Sequence, residues 1–176
     1  MSARVGLYVH FVDFEKAFDS VHRESIWNIM KSYGIPHKMV RVIAGTYQGF
    51  ECAVVDGSET SEWFKIKSGV KQGCVMSGFF FLLALDWTMR EATADKRRGI
   101  RWNFTTVLED LDFADDIALL SSKISNLKEK TGRLAEEAAR VGLKLNARKS
   151  KTLRTGFAHS SEDVVVNGET LRNLYT

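Results

Sequence analysis

An α+β layer, with helices packed on one face of an antiparallel sheet, is the architecture this 176-residue sequence predicts. Three observations predict it. The run over residues 6–12 is mostly apolar, as a buried central strand should be, and it ends in Asp13. About a hundred residues later, Leu111-Asp112-Phe113-Ala114-Asp115-Asp116-Ile117-Ala118-Leu119-Leu120 sets two carboxylates between short apolar runs. That pattern reads as a β-hairpin with Asp115 and Asp116 at its tip, its strands too apolar for a solvated edge. Around these, the elements run strand, two helices, hairpin, helix, hairpin, helix, strand, an order that suits helices layered on one side of a sheet.

Taken in order, the first strand leads through residues 14–20 into a helix over 22–33, capped by Asp19 or Ser20 and closed by Gly34. Ile26, Ile29, Met30 and Tyr33 recur at helical spacing and point to core packing. Pro36 starts a second helix, with Met39, Val42, Ile43 and Tyr47 inward and Gly49 at its end. Residues 51–55 and 62–67 flank Asp56-Gly57-Ser58 and form a hairpin, whose Lys65 and Lys67 share a face as a solvated strand edge or a phosphate contact. A loop over 69–77 enters a helix over 78–94, whose start Gly78 loosens. Lys96, Arg97, Arg98 and Arg101 then make a short basic cluster, read as a solvated connection or a nuclear-import signal. After the Asp-Asp hairpin, residues 125–140 form an amphipathic helix with Leu127, Thr131, Leu134, Ala138 and Val141 on one face and Gly142 closing it. Residues 144–146 and 151–154 are short strand candidates, and 164–169 a possible last hairpin.

Bulk properties exclude several classes. Hydrophobic content of 44% and charged content of 27% are ordinary for a globular chain, and 176 residues suffice for one core. A net charge of +3 permits nucleic-acid binding without arguing for it. Cys52 and Cys74 form no CxxC pair, no signal peptide is recognisable, and the longest apolar run, over residues 79–85, is far too short to span a bilayer. The expectation is an intracellular protein of the nucleus or cytoplasm with no membrane partner.

The carboxylates carry the chemistry. Like charges about 5 Å apart repel by roughly 3 kcal/mol at an effective dielectric near 20. Bringing Asp13 beside Asp115 and Asp116 therefore calls for a cation or a raised pKa. Mg²⁺ takes one or two carboxylates and leaves positions for water and phosphates. Two such ions, with Mn²⁺ as a substitute, suit in-line phosphoryl transfer.

The wording of four segments resembles the reverse transcriptase domain of non-LTR (LINE-type) retrotransposons. Phe11-Val-Asp13-Phe-Glu-Lys-Ala-Phe18-Asp19 is similar to the first catalytic motif of that family, and Gly69-Val-Lys-Gln72-Gly73-Cys-Val-Met-Ser77 to its template- and nucleotide-positioning motif. Phe113-Ala-Asp115-Asp116 resembles its aromatic-x-Asp-Asp hairpin, and Gly142-Leu-Lys-Leu-Asn146-Ala-Arg-Lys149 the motif after it. All four stand in family order over residues 5–155.

The resemblance implies a polymerase palm that joins a dNTP to the 3′-hydroxyl of a DNA primer on an RNA template. It implies that Asp13 and Asp115 ligate both metals, with the Phe14 carbonyl as a further oxygen and Asp116 as electrostatic support and looser ligand. Phe18 would lie beneath the sugar and exclude a 2′-hydroxyl, its other reading being core packing. Gln72 and Gly73 would lie against the templating base pair, and Lys149 would assist the departing pyrophosphate. Where the family has Pro, this chain has Gly78. Residues 1–155 are expected to be the palm and 156–176 the start of the segment toward the thumb, with fingers and complete thumb absent. Two rivals remain at this stage: a phosphoacceptor domain, which would need its Asp pair after the first strand, and a retroelement remnant that binds nucleic acid or protein without turnover.

Overall fold

Strand β1 (Leu7–Val12) occupies the middle of a five-stranded sheet, and strands from much later in the chain fill both its sides. The computed structural model describes residues 6–95, 97–155, 162–166, 168–170 and 172–175. After β1 come a four-residue helix α1 (Ala17–Ser20), then α2 (Arg23–Ser32) and α3 (His37–Gly45). Strands β2 (Glu51–Cys52), β3 (Val55–Asp56), β4 (Glu59–Thr60) and β5 (Phe64–Lys65) build a two-tier hairpin, β3 against β4 at the tip and β2 against β5 at the base. Helix α4 (Val75–Thr93) follows, then a small ribbon of β6 (Ile100–Arg101) and β7 (Val107–Leu108). The hairpin β8 (Asp110–Phe113) and β9 (Asp116–Ser121), helix α5 (Ile124–Arg140) and strand β10 (Lys151–Thr155) complete the core. Last are the pair β11 (Val165–Val166) and β12 (Glu169–Thr170), and strand β13 (Arg172–Tyr175).

The sheet order is β13-β10-β1-β9-β8. Its pairings are antiparallel except β10 with β13, which run parallel. Alternation along the strands divides its two faces. Tyr8, His10 and Val12 of β1 and Ile117 and Leu119 of β9 are buried; all but His10 join a core with Phe80, Phe81 and Leu85 of α4 and Leu127, Leu134 and Ala138 of α5. The opposite face carries Phe11 at 45% exposure and Leu111 and Phe113 of β8 further out still. Helices thus cover one face, as the element order predicts, and the other is open at the end where β1 stops.

Several local expectations differ. The two-residue turn of the Asp-Asp hairpin is Ala114 and Asp115, because Phe113 pairs with Asp116; Asp116 opens β9. Strand β8 is an exposed edge, since nothing pairs its outer side among the described residues. Helix α2 starts after His22 rather than at Asp19 or Ser20, which belong to α1, and no side chain caps it. Tyr33 lies outside the core because its hydroxyl reaches the Asp86 carboxylate, while Trp27 is buried instead. In α3 only Val40 is buried, with Met39 and Val42 exposed; the helix ends at Gly45, so Tyr47 is buried from the loop. Helix α4 begins at Val75, and Gly78 therefore sits inside its first turns rather than at its start. The stretch 144–146 is no strand; Leu145 makes one isolated bridge to Phe14.

The basic cluster is the largest departure. Arg98 is buried, its guanidinium held by Asp95 and Glu129 at 2.7 Å each. Lys96 of that cluster lies outside the described residues, as do Asn167 of the expected last hairpin and residues 156–161 of the tail. Beside Arg98, Lys130 of α5 is also buried and reaches Glu109 at 2.6 Å, while donating to the carbonyls of Glu109 (2.8 Å) and Leu120 (2.9 Å). Burial lowers its pKa and the Glu109 carboxylate raises it, the first being the larger effect. This lysine ties α5 to the base of the β8–β9 hairpin.

Candidate active site

Asp13 follows β1 directly, and its backbone is fixed by the segment before β10. Its N–H donates to Ser150 Oγ (3.1 Å), and its carbonyl accepts from the Asn146 N–H (2.8 Å). Asn146 in turn accepts from the N–H groups of Lys149 and Ser150, closing a turn that brings Lys149 Nζ to 3.8 Å from Asp13 Oδ2. Both side chains stay substantially in water, so this pair is a loose one. Phe14 is buried opposite Leu145, flanked by bonds through Asp13 O and Glu15 N. In such a pair the central residue's own carbonyl points away from the partner strand, which turns the Phe14 oxygen from the Asn146 side.

On the other side of β1, the ladder with β9 ends at Val12 against Ile117. Asp13 and Asp116 are the next residues along the two strands beyond that last pair, and alternation places both on the same face. Asp13, Asp116 and Phe113 share the open face by alternation, and Asp115 occupies the adjoining turn. Ala114, before it, has φ 57°, a left-handed conformation that L-residues rarely adopt. Asp115 and Asp116 are exposed and Asp13 half-buried. Asp13, Asp115, Asp116 and the Phe14 carbonyl offer hard oxygen donors, the chemistry a divalent cation takes. No group of three such side chains is gathered to metal-holding distance among the described residues.

The loop holding Gln72 and Gly73 docks on the segment just after Asp13. Val70 N–H donates to Phe18 O (2.7 Å), Gly69 N–H to Val21 O (2.9 Å), and Gln72 Nε2 to Asp19 Oδ1 (3.0 Å). Gly69 has φ +75°, and a Cβ there would fall 2.6 Å from the Asp19 carbonyl oxygen; only glycine lets these backbones meet. Phe18 is partly buried, its ring stacked on Phe81 with centroids 5.0 Å apart. It therefore packs against α4 and is only partly exposed. Gly73, φ +79°, is exposed at the α4 entrance.

Asp13, Phe14 and Lys149 thus meet on one side of the strand end, and Phe18 and Gln72 through the Asp19 segment on another. Asp19 and Ser150 are contributors that residue reading assigned no site role. Asp19 had a signal, since it falls six residues after Asp13 within the first motif, whereas the Ser150 contact spans 137 residues and has no local signature.

A sheet of this kind, helices on one face and acidic residues at the ends of adjacent central strands, is the palm-like fold of nucleic-acid polymerases. The fold is similar to a telomerase from Candida tropicalis solved with a TWJ fragment of telomeric RNA, with a TM-score of 0.67 at 19% identity over 96% of this chain and 29% of that one. It is equally similar to an apo telomerase from the same organism truncated from its C-terminal domain, with a TM-score of 0.67 at 20% identity over 90% and 32%. The family model described as reverse transcriptase (RNA-dependent DNA polymerase) matches residues 3–165, and the chain belongs to that family. Within it, the chain is 31% identical over 146 residues to the Pol polyprotein of the R2DM retrotransposable element of Drosophila melanogaster, covering 83% of this chain and 14% of that protein. It is 29% identical over 153 residues to the R2 Pol polyprotein of Bradysia coprophila, covering 85% and 17%. The chain spans between about one seventh and one sixth of the length of these relatives, which are proteins of retrotransposable elements. No helix among the described residues is long and apolar enough to cross a membrane.

Proposed function

We propose that residues 1–155 are the palm of an RNA-directed DNA polymerase, transferring a nucleotidyl group from a dNTP to a primer 3′-hydroxyl on an RNA template. Residues 156–176 then begin the segment toward the thumb. The observation that supports this reading is the β1–β9 ladder, whose last pair is Val12 with Ile117, so that Asp13 follows one strand end and Asp116 opens the neighbouring strand, with Asp115 in the adjoining turn.

Asp13, Asp115 and Asp116, with the Phe14 carbonyl, are the groups that would hold two Mg²⁺ ions. When bound, such ions supply Lewis-acid stabilisation of charge on the attacking and leaving oxygens. The chain's own residues do the rest. Ser150 and Asn146 hold the Asp13 backbone, so its carboxylate is aimed by two fixed bonds. The Phe18 ring, braced on Phe81, cannot yield easily to a 2′-hydroxyl and so favours a deoxyribose. Gln72 and Gly73 offer an amide and a side-chain-free approach for the templating pair, and Asp19 orients the Gln72 amide. Lys149 can neutralise or protonate the departing pyrophosphate.

Primer extension tests this reading. The chain is given an RNA template, a DNA primer, dNTPs and Mg²⁺, beside an Asp115→Asn variant. Extension by the parent and loss of at least about 10²-fold in the variant is expected, in line with removal of a charge-stabilising group. Absence of extension by folded parent would instead favour a palm that binds nucleic acid without turnover.

A further inference from the structure

The ribbon of β6 and β7 holds its two largest side chains in water. Trp102 is 70% and Phe104 96% exposed at its tip, and neither ring packs on another ring or on a cation among the described residues. Two exposed arginines accompany them, Arg97 just before the ribbon and Arg101 on β6. Neither meets a carboxylate among the described residues, because the neighbouring acids are already occupied. Asp95 and Glu129 hold Arg98, Asp95 also holds Arg133, and Glu109 holds Lys130.

The tip is fixed before anything binds. Asn103 Oδ1 accepts from the N–H groups of Thr105 (3.0 Å) and Thr106 (2.6 Å), and Trp102 N–H donates to Thr106 O (3.0 Å). At the base, Arg98 N–H donates to Glu109 Oε1 (2.9 Å), and the Arg98 carbonyl accepts from Ser121 Oγ (2.8 Å). A Cβ at Gly99 would fall 2.0 Å from the Leu108 carbonyl oxygen, so only glycine lets the two sides of the ribbon meet there. A tip held in this way loses little freedom on binding.

We propose that the β6–β7 tip is a binding site for single-stranded nucleic acid, with bases stacked on Trp102 and Phe104 and phosphates met by Arg97 and Arg101. Open aromatic faces beside unpaired cations hold a single strand without reading its sequence. An acidic protein segment would use the arginines and leave both rings in water. The site is distinct from the carboxylates: β8 runs from the ribbon base toward the Asp115 turn, four residues or about 13 Å of extended chain. It therefore goes beyond the polymerase reading.

Fluorescence anisotropy in EDTA tests it, with labelled single-stranded RNA and single-stranded DNA as separate arms. Trp102→Ala and Phe104→Ala are each expected to weaken binding at least about fivefold, in line with the loss of one stacked base. Trp102→Phe should keep most of the affinity while losing the part of the tryptophan quenching that binding causes. Arg101→Gln should lower the slope of log K against log salt by about 0.7, and Met39→Ala, on exposed α3, should change nothing. A strand of abasic sites should bind the parent no better than the intact strand binds the aromatic variants. A loss in one arm alone supports the site and assigns the strand type. Equal binding by parent and aromatic variants with unchanged urea unfolding, full binding of the abasic strand, or displacement by polyglutamate would overturn the proposal. Binding here needs neither metal nor turnover, so its failure and that of the primer-extension test are read separately.

Discussion

Ala114 holds a conformation that glycine would hold without strain, and it stands directly before Asp115. The left-handed region costs an L-residue about 1–2 kcal/mol, while glycine loses roughly 0.5–1 kcal/mol through its freer unfolded chain. Ala114→Gly should therefore stabilise the chain by up to about 1.5 kcal/mol in urea unfolding; a loss of stability would refute the strain. The missing glycine in this turn was legible in the sequence, but not the one-residue offset of the tip, because Asp favours turns over strands and yet Asp116 opens β9. His10 makes a second prediction. It is buried on the central strand, and burial lowers its pKa from 6.5 to about 4. The unfolded chain thus binds a proton below pH 6.5 that the folded chain refuses until about 4. This part of the stability is complete above pH 6.5 and is lost as pH falls toward 4, by at most about 3 kcal/mol. Unfolding free energies measured across that window should fall with acid in the parent and fall less in His10→Gln.

Helix α5 shows how an element can be read correctly while its purpose is missed. Its apolar stripe of Leu127, Thr131, Leu134 and Ala138 is buried as the periodicity predicts. Lys130 lies on the same stripe, three residues after Leu127 and four before Leu134, and that position was the available signal. Its partner Glu109 stands 21 residues away in the connection between β7 and β8, so the pair has no local pattern to recognise. Lys130→Met would leave Glu109 Oε2 and two carbonyls without their donor at the root of the hairpin, while Glu109 Oε1 keeps the Arg98 N–H at 2.9 Å. A loss of about 3–5 kcal/mol is expected. The double variant Lys130→Met, Glu109→Gln should recover part of it, and purely additive losses in the double-mutant cycle would show that the two groups do not interact. Arg98 followed the same course. A basic run beside a helix end reads as solvated, and only the distant Glu129 and the neighbouring Asp95 reveal it as a buried junction.

At the level of the whole molecule, the layer and the placement of carboxylates at strand ends were legible, since apolar runs ending in Asp recur at Asp13 and Asp115. The parallel attachment of β13 was not, because strand direction depends on a connection through residues whose pattern is weak. Nor was the anchoring of the loop before α4, where Arg23 on α2 gathers three carbonyls 43 to 46 residues away. The place of β1 in the middle of the sheet also sets a timetable for assembly. Its two flanking partners are β9, over residues 116–121, and β10, over residues 151–155, so the strand leading to Asp13 leaves the ribosome long before either. At roughly 5–20 residues per second, that first strand waits on the order of ten seconds with both edges unpaired. During synthesis, the segment that ends as the most enclosed part of the sheet is the one most open to adhesion with other nascent chains.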